Sequence, residues 1–114
     1  MFAATPPLEA KKALFSLAVT QLAKGRAKGT MHPVIKKQLF VDVRRAYLYA
    51  PAKRPVYVQL PPEDYEECMC GRLQYSMYGT RDAASNWESH YRGVLESYGF
   101  TCGVSTPCVF YHKD

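Results

Sequence analysis

The sequence predicts an α+β fold in which short antiparallel strands are backed by two helices. Two stretches repeat apolar residues at helical spacing, four stretches are rich in β-branched and aromatic residues, and Pro- and Gly-bearing turns separate them. At 114 residues the chain holds one domain at most, or a piece of a larger one. Its 47% hydrophobic and 22% charged residues are enough to build a core rather than stay disordered.

The first helix is expected over about residues 6–23. Thr5 can accept from otherwise unpaired amides, and Pro6 suits a first helical position, where no N–H is needed. Leu8, Phe15, Ala18, Val19 and Leu22 recur at helical spacing, widened by Leu14 and Leu17, and this stripe is expected to be core. Lys24 to Thr30 reads as a basic, glycine-punctuated loop without the order of a nucleotide P-loop, and His32 as a surface residue. Leu39 to Val43 reads as the central strand, followed by a helical turn over residues 44–49 that Pro51 and Pro55 stop. Further strands are expected at Val56 to Leu60, Arg72 to Tyr78 and Cys108 to Tyr111, with an acidic solvated loop from Glu63 to Cys70. The second helix, about residues 81–98, carries Ala84, Trp87, Tyr91, Leu95 and Tyr98 as its apolar stripe. Thr80 is its expected cap and Gly99 its left-handed end; Trp87 and Tyr91 read as packing residues, and Gly93 as a modest weakness or a point of close approach. Thr101 to Pro107 reads as a connector, which leaves the last strand without a returning partner and the natural domain expected to run on past it.

Charge is divided unevenly. Residues 1–60 hold eleven Lys/Arg against Glu9 and Asp42, while residues 61–114 hold four against eight Asp/Glu. A basic half of this kind is either an ordinary solvated surface or a phosphate-facing one that would bind nucleic acid in a salt-sensitive way. Cys68, Cys70, Cys102 and Cys108 do not follow zinc-knuckle spacing and are expected to be reduced thiols. No apolar run approaches a membrane span and the first fifteen residues lack a signal-peptide core, so the chain is expected to be intracellular, cytoplasmic or nuclear, with no membrane partner.

Asp42 is the residue that calls for chemistry. A carboxylate at the end of an apolar strand is costly unless a cation or donor compensates it. One reading has Asp42 cap the following turn or pair with Arg44 or Arg45. The other makes it a metal ligand, because a hard carboxylate oxygen at a strand end is what a Mg²⁺ ion shared with substrate phosphates requires.

Six sequence words then stand in a familiar order. Phe40-Val41-Asp42-Val43-Arg44-Arg45-Ala46-Tyr47-Leu48 comes first, followed by Val56-Tyr57-Val58-Gln59-Leu60-Pro61. Leu73 with Met77-Tyr78-Gly79, then Ala83 and Trp87, then Tyr98-Gly99-Phe100, and Pro107-Cys108-Val109-Phe110 complete the set. Over residues 38–114 this resembles the reverse transcriptase of copia-type LTR retrotransposons. The resemblance implies a palm/fingers portion of that polymerase, an antiparallel sheet packed on two helices and incomplete at both ends. Residues 1–37 would form an N-terminal helix and basic loop, and residues 38–114 the palm/fingers core. It implies RNA-directed DNA synthesis with Mg²⁺, an RNA template, a DNA primer and a dNTP, beside ribonuclease H and integrase domains of a polyprotein. Asp42 matches the first catalytic, metal-binding aspartate, and the Val43 backbone carbonyl would add a second oxygen to the same metal. Arg45 and Ala46 stand where backbone amides approach the incoming triphosphate, and Tyr47 where an aromatic steric gate excludes a ribose 2′-hydroxyl.

The departures are as informative. The family's Asp-Asp hairpin would follow Tyr111 and its basic fingers segment would precede Met1, so this piece is expected to be inactive alone. After Gly79 the family favours Lys/Arg-Gln-Ala-Pro, whereas Arg81-Asp82-Ala83-Ala84 places an acid where Gln is usual. The alternatives are a non-enzymatic nucleic-acid-binding module, with Lys24, Arg26, Lys28, Lys36, Lys37, Arg44 and Arg45 on phosphates, or an inactive transposon relic.

Overall fold

In a computed structural model, residues 5–27 and 37–113 are described, with side chains over 5–20 and 37–113. Two helices, α1 (Leu8–Ala27) and α2 (Ala83–Ser97), combine with two small antiparallel sheets in an α+β arrangement. In the first sheet β1 (Tyr57–Val58) pairs with β2 (Gly71–Arg72); in the second β3 (Thr101–Cys102) pairs with β4 (Phe110–Tyr111). Short 3-10 turns lie at Ala46–Tyr49 and Pro62–Asp64.

Helix α1 starts later than its cap signal indicates, because residues preceding a proline avoid the α region and Thr5 and Pro6 both do so. The Lys11 N–H donates to the Pro7 carbonyl at 3.2 Å, and the helix runs on through Lys24 and Arg26, good helix formers placed in the expected loop. Its apolar stripe is not core. Leu8, Phe15, Leu17 and Val19 are each more than half exposed, since consecutive apolar residues at 13–15 and 17–19 spread around the helix rather than along one face. What α1 holds is the next described segment: the Gln38 amide donates to the Leu14 carbonyl, and Phe15 stacks on Phe40 with centroids 5.3 Å apart.

The stretch expected to be the central strand, Leu39 to Val43, is without strand pairing among the described residues. Its β-forming side chains supply propensity, but a strand also needs a ladder beside it, and here the neighbour is a helix. Leu39 and Val41, on one side of the chain, are 85% and 72% exposed.

A paired ribbon follows. The Ser76 N–H donates to the Ala50 carbonyl at 2.8 Å, Ala52 N–H to Gln74 at 3.0 Å and Leu73 N–H to Val56 at 2.9 Å, with Pro51 bridging Tyr75 antiparallel. These bonds continue into β1 and β2, in the register Tyr57↔Arg72 and Val58↔Gly71. The expected strands 56–60 and 72–78 are therefore parts of one ribbon whose ladder is broken where Pro51 and Pro55 lack donors. The acidic loop between them is exposed from Pro61 to Cys70, as expected.

Helix α2 begins at Ala83 after Asp82, not from Thr80, whose hydroxyl donates to the Met77 carbonyl at 2.7 Å. It ends as the sequence indicates. Gly99 has φ 85°, its N–H donates to Glu96, and the Phe100 N–H donates to Leu95, the paired 3.0 and 3.1 Å bonds of a Schellman end. That turn sends the chain back into β3, so β4 has the partner that the sequence reading denied it. The buried residues among those described are Ala50, Ser76, Ala83, Ala84 and Asn86, gathered where the ribbon meets the start of α2. No helix among the described residues is long and apolar enough to cross a membrane.

Candidate functional site

The turn after Asp42 is built by an unusual backbone. Arg45 takes the left-handed conformation, φ 57° and ψ 37°, and starts the 3-10 turn; Leu48 N–H then donates to the Arg45 carbonyl at 3.0 Å and Ala50 N–H to Tyr47 at 3.1 Å. A non-glycine residue in that region costs about 1 kcal/mol or more and persists only where its surroundings hold it. Here the anchor is Ala50, fully buried and hydrogen-bonded to Ser76.

The same anchor brings two of the sequence words together. Tyr47, half-buried in the turn, lies against Tyr78 of the Met-Tyr-Gly word, with ring centroids 4.6 Å apart and planes tilted by 34°. Gly79, at φ 89°, allows the turn that carries Tyr78 there. Ala46 is half-buried beside Tyr47, while Asp42, Val43, Arg44 and Arg45 are all exposed.

Asp42 forms none of the ion pairs found among the described residues, so the pairing with Arg44 or Arg45 is not realised there. Asp42 is exposed, and its carboxylate is the kind of hard oxygen donor that a Mg²⁺ ion takes. Among the described residues, no group of three His, Cys, Asp or Glu stands close enough to hold a metal ion. Of the basic residues singled out from the sequence, Lys37 is exposed; Lys24 and Arg26 lie on α1 beyond the described side chains, and Lys28 and Lys36 lie outside the described residues.

The polar network behind Tyr47 was not apparent from the sequence. The Asn86 amide, buried in the first turn of α2, donates to Ser76 Oγ at 3.0 Å and to Asp82 Oδ2 at 3.2 Å. Arg54 reaches across from the ribbon to Asp82 Oδ1 at 3.0 Å. Desolvation pushes the Asp82 pKa up, but hydrogen bonds from Arg54, from its own backbone and from Asn86, with the Arg54 charge, outweigh it and hold the carboxyl below its ordinary value. The Asp82 carboxylate is thereby charge-compensated. Nothing local in the sequence signals the pair, since Arg54 and Asp82 lie in separate segments.

On the far side of α2, Trp87 lies 5.4 Å from Tyr91, and Tyr91 meets Phe110 of β4 edge-on at 5.9 Å, so both act as packing residues. Gly93 has open space beside it, with no close neighbour among the described residues. All four cysteines are free thiols. No family model matches the chain, and no solved structure matches it.

Proposed function

We propose that the chain is a segment of a copia-type reverse transcriptase, supplying Asp42 as the first metal-binding carboxylate and Tyr47 as the ring that discriminates against ribose. What supports this reading is the seating of Tyr47 on Tyr78, five residues after an exposed acid, in a turn pinned by Ala50 to Ser76. In the family activity Mg²⁺ stabilises the attacking and leaving oxygens of nucleotidyl transfer. Asp42 and the Val43 carbonyl would hold one such ion, while the backbone at Arg45 and Ala46 would approach the triphosphate. Tyr47, resting on Tyr78, would hold its ring beneath the sugar, where it leaves no space for a 2′-hydroxyl. One carboxylate does not hold two Mg²⁺ ions against solvent, so these 114 residues by themselves would not extend a primer. RNA template, DNA primer, dNTP and the ribonuclease H and integrase domains belong to the same proposal.

The test is nucleotide binding in Mg²⁺, read as chemical-shift changes at Tyr47 and Tyr78. A dNTP should bind more tightly than the matching rNTP, Tyr47→Val should abolish that preference, and Asp42→Asn should abolish the Mg²⁺ dependence. Binding indifferent to both substitutions overturns the proposal. Primer extension on an RNA template that is lost in Asp42→Ala would overturn the inactivity of the isolated chain. The basic-module reading, favoured by exposed Lys37, Arg44 and Arg45, instead requires nucleic-acid affinity that falls steeply with salt and survives Asp42→Asn without sugar discrimination.

A further inference from the structure

The β3–β4 hairpin carries two thiols. Cys102 stands opposite Phe110 in the ladder, and Cys108 lies two residues before Phe110, in the turn that leads into β4. Beyond the ladder the loop is drawn in tightly: Gly103 N–H donates to the Val109 carbonyl at 2.8 Å and Val109 N–H to Thr106 at 3.0 Å. A Cβ on Gly103 would stand 3.1 Å from both the Thr106 and Val109 carbonyl oxygens, so only glycine passes through that crossing without displacing it. The Cys102 thiol reaches over the loop to donate to the Pro107 carbonyl at 3.3 Å, one residue from Cys108.

We infer that Cys102 and Cys108 are a redox-closable pair, joined by hydrogen peroxide into a disulfide that staples the hairpin lying against α2. Both thiols are half-buried, and Cys102 stands close enough to Cys108 to help raise its pKa. Burial chiefly holds the Cys108 thiol protonated, aided by the Cys102 charge and opposed by its backbone hydrogen bond and by Lys11. Cys108, the thiol that burial holds protonated, is assigned the resolving role and Cys102 the attacking one. The Cys102 sulfur attacks one peroxide oxygen and the O–O bond breaks, giving a sulfenic acid and a hydroxide that takes the thiol proton and leaves as water. Cys108 then attacks that sulfur; the S–S bond forms, the S–O bond breaks, and the departing hydroxide leaves with the Cys108 proton as a second water. Two electrons pass from the sulfurs to the peroxide.

The full chain is treated with peroxide, alkylated, digested with trypsin and weighed by mass spectrometry. Cleavage after Arg92 and Lys113 puts Cys102 and Cys108 in one peptide, and cleavage after Lys53 and Arg72 puts Cys68 and Cys70 in another. The 93–113 peptide should become two hydrogens lighter, and should do so at least about tenfold faster in the folded chain than in urea, because the hairpin raises the thiols' effective concentration. Gly103→Val, which forces the crossing open while keeping both thiols, should slow closure toward the unfolded rate. Cys108→Ser should leave a Cys102 sulfenic acid that dimedone traps. Closure no faster folded than unfolded, or a 93–113 peptide that gains oxygen without losing hydrogen, overturns the inference.

Discussion

Truncating Asn86 to alanine tests whether the polar network behind Tyr47 holds the fold together. Asn86 is 4% exposed and Ser76 3%, so water does not replace what the substitution removes. Asn86→Ala loses the bond to Ser76, a net contribution of about 1 kcal/mol, and leaves Ser76 Oγ buried without that donor, a further penalty of about 1–3 kcal/mol. The bond to Asp82 adds little, because that carboxylate is partly open to solvent and keeps Arg54. The better helix propensity of alanine returns about 0.5 kcal/mol. A net loss of about 2 kcal/mol is expected, read as a lower urea midpoint at unchanged slope. The partner substitution sharpens the test. Ser76→Ala removes the orphaned hydroxyl, so the double variant should be less destabilised than the two singles summed, by about 1–2 kcal/mol. Strictly additive effects, or an Asn86→Ala chain within about 0.5 kcal/mol of the parent, would refute the view that this bond organises the site.

Two further outcomes follow from neighbouring groups. Tyr91 Oη is buried with no hydrogen-bond partner among the described residues, and burial, with the Glu88 charge, raises its pKa. Tyr91→Phe keeps the ring contacts with Trp87 and Phe110 while removing the stranded hydroxyl, so the urea midpoint should rise by about 1 kcal/mol equivalent. A clear fall would mean that the hydroxyl is satisfied. For Asp82 the folded carboxyl titrates below its ordinary value of 3.8, so its stabilising effect is complete above that pH and is lost as pH falls through the folded value. Thermal midpoints followed from neutral to acid pH should show this acid-side loss in the parent and not in Asp82→Asn; parallel curves would sink the assignment.

How much of this was legible beforehand depends on the range of the interactions. Helix α2 was, because its determinants are local: an apolar period of 3.6 and a glycine where φ must be positive. The 56–60 and 72–78 stretches were seen as strands, but not that residues 50–52 pair with 74–76 and extend the ribbon, since Pro51 disguises a paired position. Leu39 to Val43 shows the reverse failure, with strand propensity but no ladder among the described residues. Helix α1 misled through its apolar content, which is ample but not confined to one face. At the site, Asp42 stood out as an acid in an apolar run and Tyr47 through the resemblance, whereas Arg54, Asn86 and Ser76 became visible only once the ribbon had brought distant segments together.

The Arg54–Asp82 pair bears on whether the departure at residue 82 weakens the proposed function. An isolated carboxylate near a path for triphosphate would repel it, by about 1 kcal/mol per unit charge at 4 Å in water and more where water is excluded. Arg54 at 3.0 Å turns that lone charge into a dipole whose field falls off faster with distance, and Asn86 fixes the orientation of the carboxylate. The pair is partly open to solvent, so its contribution to stability is small. Its consequence is electrostatic: with Asp82 compensated, the uncompensated acid beside the Tyr47 turn among the described residues is Asp42, the one the proposed chemistry needs.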